Sequence, residues 1–324
     1  MYALRIFLSL VALSSQEVHH TITPNVNRWV GLGSRWRGRL PVGFGGHAHT
    51  IHLRLSGRSC VAEKGAEPVG KRKSYEPGTF SWVDLSTPDS EGAKAFYGDL
   101  FGWEFRDDEI PGGGVYTMCL REGDEVGGLA QQDEHPAHWN NYVTVESADE
   151  TAEKARDLGA TLIEEPFDVM DSGRMALFAD PGGAMLCVWE PRNHIGAGRV
   201  NDLGCMGWND LQTRDTEAAG EFYRALFGWE TEPIYVDGQL VYTAIKNAGR
   251  QNGGFMPLSE EQGEAPSFWL PYFSVTSCDE TVEKARGAGG TSLAGPMDVP
   301  AGKFAVLMDP YGAAFAVFEG ETDE

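Results

Sequence analysis

Two short segments of the chain repeat a Trp-x-Asp pattern that could place a carboxylate beside an aromatic ring. The first holds Trp82 and Asp84, and the second holds Trp208 and Asp210. Residues two apart in a β-strand share one face, so each Trp should lie beside its Asp. A carboxyl group that a ring shields from water has a raised pKa and suits proton transfer. We therefore predict Asp84 and Asp210 as acid–base residues. The simpler alternative is that each Asp bonds to backbone or a neighbouring strand and each Trp fills a core.

The other reactive residues favour no second kind of chemistry. The five cysteines are odd in number and show no CxxC spacing, which argues against a disulfide framework and a structural zinc site. A reducing, cytoplasmic setting fits this pattern best. Cys187 lies in an apolar segment and is expected to be an inert core thiol. The pairs Gly127-Gly128 and Gly253-Gly254 open no helix, so they indicate bulges or close strand approaches instead of phosphate loops.

A long repeat surrounds the two Trp-x-Asp segments and shows which elements position them. The sequence AKAFYGDLFGWE (Ala93–Glu104) returns as AGEFYRALFGWE (Ala219–Glu230). DETAEKARDLGAT returns as DETVEKARGAGGT, and the Asp-Pro at 180–181 returns at 309–310. The copies keep the same order at offsets of 126 to 130 residues, which indicates a duplicated domain.

Each copy contains two successive modules, and each module has one strand, one helix and then three strands. The strand with Trp82 ends before Asp89 or Ser90, which should cap a helix, and Gly102 should end that helix. Alternating and helical patterns predict the strands and the second helix that follow. The sequence thus predicts four βαβββ modules in a chain with this division: a disordered basic extension (1–78), a first domain (79–191), a linker (192–204) and a second domain (205–320).

Charge separates the extension from the two domains. Residues 1–78 hold 11 basic and 4 acidic residues, whereas residues 79–324 hold 15 and 44. Phosphate contacts are made mainly by Lys and Arg, so the acidic body is an improbable partner for nucleic acid or an anionic membrane surface. No apolar run reaches the roughly 18 residues of a membrane helix, and the apolar start of the chain is short for a signal peptide. We expect a cytoplasmic protein.

The repeated motifs carry a resemblance to a known superfamily. Four βαβββ modules, with FYxxLFGWE at the end of the first helix of each domain and DPxG before each last strand, resemble the vicinal oxygen chelate (VOC) superfamily. That group includes glyoxalase I, extradiol dioxygenases and bleomycin resistance proteins. The chain is most similar to tandem glyoxalase-like proteins of actinobacteria, some of which occur with aromatic polyketide biosynthesis. The resemblance implies an α+β fold in which paired modules form half-barrels that bind ligands.

The sequence departs from the superfamily at its metal-binding positions. Metal-dependent members carry His or Glu on the first and last strands of their modules, as a site of converging N and O ligands requires. The matching positions here hold residues that cannot make such a site: Trp82, Gly127, Gly128, Leu129, Asn140 and Cys187 in the first domain, and Trp208, Gly254, Leu270 and Ala316 in the second. We therefore expect neither a metal centre nor another cofactor.

The same strands should instead line each half-barrel with aromatic side chains. An aromatic pocket with one or two polar groups suits a small, flat organic ligand, and offset ring stacking adds about 0.5–1.5 kcal/mol to area burial. The predicted lining beside the two aspartates consists of Trp82, Tyr142, Cys187 and Trp189 in the first domain, and of Trp208, Tyr272 and Phe318 in the second. The six aromatic residues of this set are the predicted substrate-binding residues.

Three functions remain open at this level. The leading one is a metal-independent protein that binds a small aromatic molecule, in one form a secondary-metabolism enzyme with Asp84 or Asp210 as acid or base. The alternative is a binding protein that sequesters a toxic ligand without turnover, as bleomycin-resistance relatives do. A metal-dependent lyase or dioxygenase is the second alternative. Four modules in one chain can pair internally, so we expect a monomer or a homodimer.

Overall fold

The computed structural model describes residues 70–111, 113–132, 136–258 and 265–320. Those residues form two eight-stranded sheets, each with two helices. The first domain contains β1 (Phe80–Thr87), α1 (Ser90–Phe101), β2 (Glu104–Glu109), β3 (Val115–Arg121), β4 (Asp124–Gln131), β5 (His138–Thr144), α2 (Ala148–Asp157), β6 (Thr161–Val169), β7 (Gly173–Ala179) and β8 (Met185–Pro191). The second contains β9 (Met206–Thr213), α3 (Thr216–Phe227), β10 (Glu230–Val236), β11 (Gln239–Asn247), β12 (Arg250–Pro257), β13 (Phe268–Ser274), α4 (Cys278–Gly287), β14 (Thr291–Val299), β15 (Gly302–Met308) and β16 (Ala314–Gly320).

The strand order places the two modules of each domain side by side. The first sheet has the order β2-β3-β4-β1-β5-β8-β7-β6, and the second repeats it as β10-β11-β12-β9-β13-β16-β15-β14. Strand β1 pairs in parallel with β4 and antiparallel with β5, so the Trp-x-Asp strand lies at the centre of its sheet. This arrangement confirms the predicted α+β fold, with two βαβββ modules per domain.

The first helix of each domain begins and ends at the predicted residues. The Asp89 side chain accepts the Gly92 N–H at the start of α1, and Gly102 takes a left-handed conformation (φ 69°) at its end. Asp215 and Gly228 do the same for α3. An Asp cap satisfies one of the free N–H groups of the first turn, and glycine adopts a positive φ without a steric cost.

The chain near the first domain differs in two details from its sequence-based description. Strand β5 begins at His138, two residues before Asn140, where the alternating pattern of the sequence predicts its start. Residues 70–78, which the sequence analysis assigned to the extension, lie along the linker, where the N–H of Arg72 bonds to the carbonyl of Gly198 and the N–H of Val200 to that of Gly70. Residues 1–69 of the predicted extension lie outside the described part of the chain.

The two domains share one hydrophobic core that is built around α1 and α3. Phe101 on α1 lies 4.9 Å from the ring of Phe273 on β13, and Phe222 on α3 lies 6.1 Å from Phe178 on β7. Each helix therefore packs on the sheet of the other domain.

The two sequence motifs of the repeat meet across this junction. The Tyr97 hydroxyl, from FYxxLFGWE of the first domain, donates to Asp309 of the second domain's DPxG at 3.0 Å. In the mirrored position, Tyr223 donates to Asp180 at 2.8 Å. All four side chains are buried, and hydrogen bonds to charged groups contribute about 1.5–3 kcal/mol each. The motifs therefore stabilise the contact between the domains.

Among the described residues, no helix is long and apolar enough to cross a membrane.

Candidate functional site

Asp84 lies buried at the centre of the first sheet and accepts three hydrogen bonds. Its Oδ2 atom accepts from the hydroxyls of Tyr116 (3.0 Å) and Tyr142 (2.8 Å). Its Oδ1 atom accepts from the Asn140 side-chain amide at 2.8 Å. Trp82 extends this network, because its indole N–H donates to the Tyr116 hydroxyl at 3.1 Å. The structure thus brings the predicted Trp82, Asp84 and Tyr142 together on one face, which we call the first inner face.

Asp210 has a matching environment in the second sheet, on what we call the second inner face. Its Oδ1 atom accepts from the Tyr242 hydroxyl at 2.6 Å and from the Trp208 indole at 2.9 Å. Tyr272 also hydrogen-bonds to this carboxyl group. The one missing donor is the amide, because Leu270 stands opposite Asp210 where Asn140 stands opposite Asp84.

Glycines on β4 and β12 let a tyrosine reach each carboxylate. Tyr116 lies across β4, and a Cβ atom at Gly128 would be 2.5 Å from its Cζ atom. A Cβ atom at Gly254 would be 2.7 Å from Cε1 of Tyr242. The pairing register also shifts near both glycine pairs. The expectation of bulges and close approaches is confirmed, and the approaching group is a phenol ring.

Tyr116 and Tyr242 were not among the predicted site residues, although the repeat contains a signal for both. The two tyrosines are 126 residues apart, and so are Asp84 and Asp210. In both copies a tyrosine therefore keeps the same sequence separation from the aspartate. It lies on a strand that is separated from the aspartate's strand by one other strand, which is consistent with a role in the same site. This signal is weak by itself, because the tyrosine reaches the aspartate only if β3 pairs with β4 in the register that places its ring across a glycine.

Burial dominates the electrostatics of both sites. It raises the pKa of Asp84, although hydrogen bonds from Asn140, Tyr142 and Tyr116 work in the opposite direction. Burial also raises the pKa of Asp210 against the hydrogen bonds of Tyr242, Tyr272 and Trp208. The pKa values of the four tyrosines rise well above their ordinary value for the same reason. The phenols therefore stay protonated and act as hydrogen-bond donors.

The residues around these sites do not fit a divalent metal ion. The three side chains on Asp84 donate hydrogens to the lone pairs that a cation would need. Burial holds the pKa of Cys187 well above its ordinary value, so its thiol stays protonated and is a poor ligand. Within the described ranges, no group of three or more His, Cys, Asp or Glu side chains could hold a metal ion.

The linker covers the first inner face. Trp82, Tyr142 and Trp189 are only 5%, 7% and 6% exposed. The His194 ring lies edge-on to Trp82 with ring centroids 4.7 Å apart, and the indole N–H of Trp189 donates to the His194 carbonyl at 2.8 Å. The Oε2 atom of Glu125 lies 3.3 Å from the Nε2 atom of His194. A ligand would have to displace this segment to reach Asp84.

The second inner face keeps its aromatic side chains partly exposed. Trp208, Phe304 and Phe318 are half-buried and pack with the buried Tyr272 in a hydrophobic cluster separate from the main core. Tyr272 and Phe304 have ring centroids 6.2 Å apart. The predicted Trp208, Asp210, Tyr272 and Phe318 thus lie on one face, where Trp208 and Phe318 are half-buried and Asp210 and Tyr272 are buried. Phe304 joins them and was not among the predicted residues.

Comparison with known proteins agrees with this architecture. A family model described as a glyoxalase-like domain matches residues 82–189 and 209–318. A relative from Mycobacterium tuberculosis, named as the glyoxylase CFP32, is 38% identical to this chain over 256 residues. The match covers 77% of this chain and 97% of the relative. The anthracycline biosynthesis protein DnrV of Streptomyces peucetius is 34% identical over 270 residues, covering 76% of this chain and 94% of the relative.

Solved structures show the same fold at low sequence identity. The Mn(II)-bound glyoxalase from Novosphingobium aromaticivorans has a TM-score of 0.54 at 16% identity, covering 76% of this chain and 84% of that one. The 2,3-dioxygenase LapB from Pseudomonas sp. KL28 has a TM-score of 0.55 at 15% identity, covering 76% and 95%. The fold is therefore that of a tandem VOC protein. The chain belongs to the glyoxalase-like domain family, with two copies of the domain.

Proposed function

We propose that the second inner face binds a small planar aromatic molecule and that the protein serves secondary metabolism without a metal ion. The observation that carries this proposal is the partly exposed cluster of Trp208, Tyr272, Phe304 and Phe318 above the Asp210 carboxyl group. Exposed aromatic rings offer a ligand both apolar area and stacking. The hydrogen-bonded carboxyl group and phenols offer orientation.

Two further observations support the ligand class. Relatives from two Streptomyces strains, 33% and 34% identical, are named anthracycline biosynthesis proteins, and anthracyclines are flat aromatic polyketides. The body of the chain is acidic, which disfavours a polyanionic ligand. Because β9 to β16 of one chain build the whole face, no second chain is required for binding.

A second candidate, a metal-independent acid–base enzyme, is favoured by the Asp210–Tyr242 pair. Their oxygen atoms are 2.6 Å apart, and burial raises the pKa of both groups. The half-buried Tyr242 can touch a ligand and take a proton from it while its own phenol proton passes to the buried Asp210, so Asp210 takes part through Tyr242. Asp84 has the same pairing, but the linker covers it, so Asp210 is the better candidate for chemistry.

Binding is tested by titrating 1,8-dihydroxyanthraquinone into the full chain and following tryptophan fluorescence. Trp208→Leu should weaken binding by about tenfold or more, because it removes the exposed stacking surface. Trp82→Leu is the matched control at the covered first inner face and should change the affinity by less than about threefold. Equal affinities of the parent and Trp208→Leu would show that the second inner face is not the binding site.

Asp210→Asn separates an enzyme from a sequestering protein. In an enzyme, this variant should keep its affinity and lose turnover, because the amide holds Tyr242 but cannot take a proton. In a sequestering protein, the parent and the variant should bind one equivalent and form no product. Asp84→Asn is the matched control and should leave turnover unchanged. A loss of turnover only in Asp84→Asn would move the chemistry to the first domain.

A further inference from the structure

The two DPxG turns differ by one residue at the junction between the domains. The second domain has Asp-Pro-Tyr-Gly, and the first has Asp-Pro-Gly-Gly, so Tyr311 corresponds to Gly182. The Tyr311 hydroxyl donates to the Oδ2 atom of Asp89 at 3.0 Å. Asp89 caps α1 through its other oxygen. At this junction, a phenol from one domain therefore closes the space at the start of a helix of the other.

Gly92 is adapted to this phenol. A Cβ atom at position 92 would lie 2.7 Å from Cζ of Tyr311 and closer still to its hydroxyl oxygen. No side chain larger than glycine therefore fits in the first turn of α1 while the ring is in place. Tyr311 and Gly92 are far apart in the sequence, yet the absence of a side chain at Gly92 leaves the space that the Tyr311 ring needs to reach Asp89.

The mirrored junction has an open cavity in place of the phenol. A cavity of about 380 Å³ lies between the turn at Gly182 and the start of α3, where Asp215 is the cap. This volume falls in the range of small-molecule pockets, about 300–1,000 Å³. The residue that matches Gly92 is Ala218, and the residue that matches Tyr311 is Gly182. The cavity therefore differs somewhat in shape from the space that Tyr311 fills, and no tyrosine side chain occupies it.

The lining of the cavity combines an apolar wall with a hydrogen-bond acceptor. Phe222 and Ala218 supply the wall. The Oδ1 atom of Asp215 accepts the Ala218 N–H at 2.9 Å. Its Oδ2 atom corresponds to the Asp89 atom that accepts from Tyr311, but no tyrosine among the described residues donates to it. Ser267, which is 8% exposed, also lines the cavity, and its hydroxyl donates to Thr213, so its lone pairs remain available.

We propose that this interdomain cavity binds a small phenol, with the ring against Phe222 and the hydroxyl donating to Asp215. The chain itself shows this mode of binding at the other junction, where the ring of Tyr311 and the carboxylate of Asp89 make the same pair. A carboxylate ligand would face the charge of Asp215, and the nearby Arg214 guanidinium is hydrogen-bonded to the Ala265 carbonyl. A bound phenol would touch both domains and stabilise their contact.

The test is a titration of the full chain with 4-fluorophenol, followed by ¹⁹F NMR. The parent should bind one equivalent with a Kd on the order of 1 mM, as expected for a ligand of this size. Fluorobenzene, which lacks the hydroxyl, should bind about tenfold more weakly. The double variant Gly182→Tyr/Ala218→Gly copies the closed junction and should bind 4-fluorophenol at least about tenfold more weakly than the parent.

Two further variants keep the result decisive. Tyr311→Gly opens the other junction and should add a second equivalent of bound 4-fluorophenol. This variant tests the proposed mode of phenol binding even if the double variant does not fold. Trp208→Leu removes the stacking surface of the second inner face and should leave 4-fluorophenol binding unchanged. Loss of binding in Trp208→Leu would move the phenol to that face and overturn this inference. So would the absence of saturable binding, unchanged binding in a folded double variant, or no second equivalent in Tyr311→Gly.

Discussion

Replacing Gly128 by alanine should displace the tyrosine that hydrogen-bonds to Asp84. A Cβ atom at position 128 would lie 2.5 Å from Cζ and 2.9 Å from Cε1 of Tyr116, well inside the van der Waals separation of about 3.5–4.0 Å. Strand β4 is paired on both sides, with β3 and β1, so its backbone has little freedom to retreat. The ring has to move, and its hydrogen bonds to Asp84 and Trp82 break.

The magnitude follows from three contributions. Overpacking a buried position costs about 1–3 kcal/mol, and loss of a hydrogen bond to a carboxyl group costs about 1.5–3 kcal/mol. The lower chain entropy of unfolded alanine returns about 0.4–1 kcal/mol. We expect the free energy of unfolding to fall by about 2–5 kcal/mol. That is a large part of the 5–15 kcal/mol, roughly, that holds a domain folded.

Urea unfolding, followed by tryptophan fluorescence and circular dichroism, measures this loss. Gly127→Ala is the matched control, because its Cβ atom would meet the Val83 carbonyl oxygen at 3.2 Å and Cγ2 of Val83 at 3.6 Å, both farther than the Tyr116 ring atoms at position 128, and should cost less. In the Tyr116→Ala background, Gly128→Ala should cost less than about 1 kcal/mol, since the obstructing ring is gone. A cost that is the same with and without Tyr116, or a loss below about 0.5 kcal/mol in the parent, would refute the reasoning.

Three other predictions follow from buried contacts. Burial raises the pKa of Asp84, so above about pH 4 the folded chain binds more protons than the unfolded one and stability falls as the pH rises through the folded pKa. Asp84→Asn should flatten that fall in urea unfolding between about pH 4 and 8, and equal slopes would contradict it. Tyr97→Phe should lower the free energy of unfolding by about 1.5–3 kcal/mol, because Asp309 loses a buried donor. An unchanged melting temperature would count against this. His194→Ala should uncover Trp82 and increase acrylamide quenching of tryptophan fluorescence, whereas quenching equal to that of the parent would show that the linker does not shield this face.

Local patterns in the sequence were sufficient for the elements and for part of each site. Asp89 and Gly102 bound α1 because a cap and a left-handed residue act on their own few neighbours. Trp82 and Asp84 share a face because side chains alternate along any strand. The duplication was visible because both copies keep their motifs in the same order.

Contacts between distant segments were decided by the tertiary structure alone. The tyrosine hydrogen-bonded to Asp84 depends on a glycine in the intervening strand, and the cover of the first inner face depends on where the linker places His194. Tyr97 and Asp309 are 212 positions apart, yet they meet because α1 packs on the other domain. Periodicity reports the face on which a side chain lies, whereas its partner is set by how sheets and helices pack, and that depends on the whole chain at once.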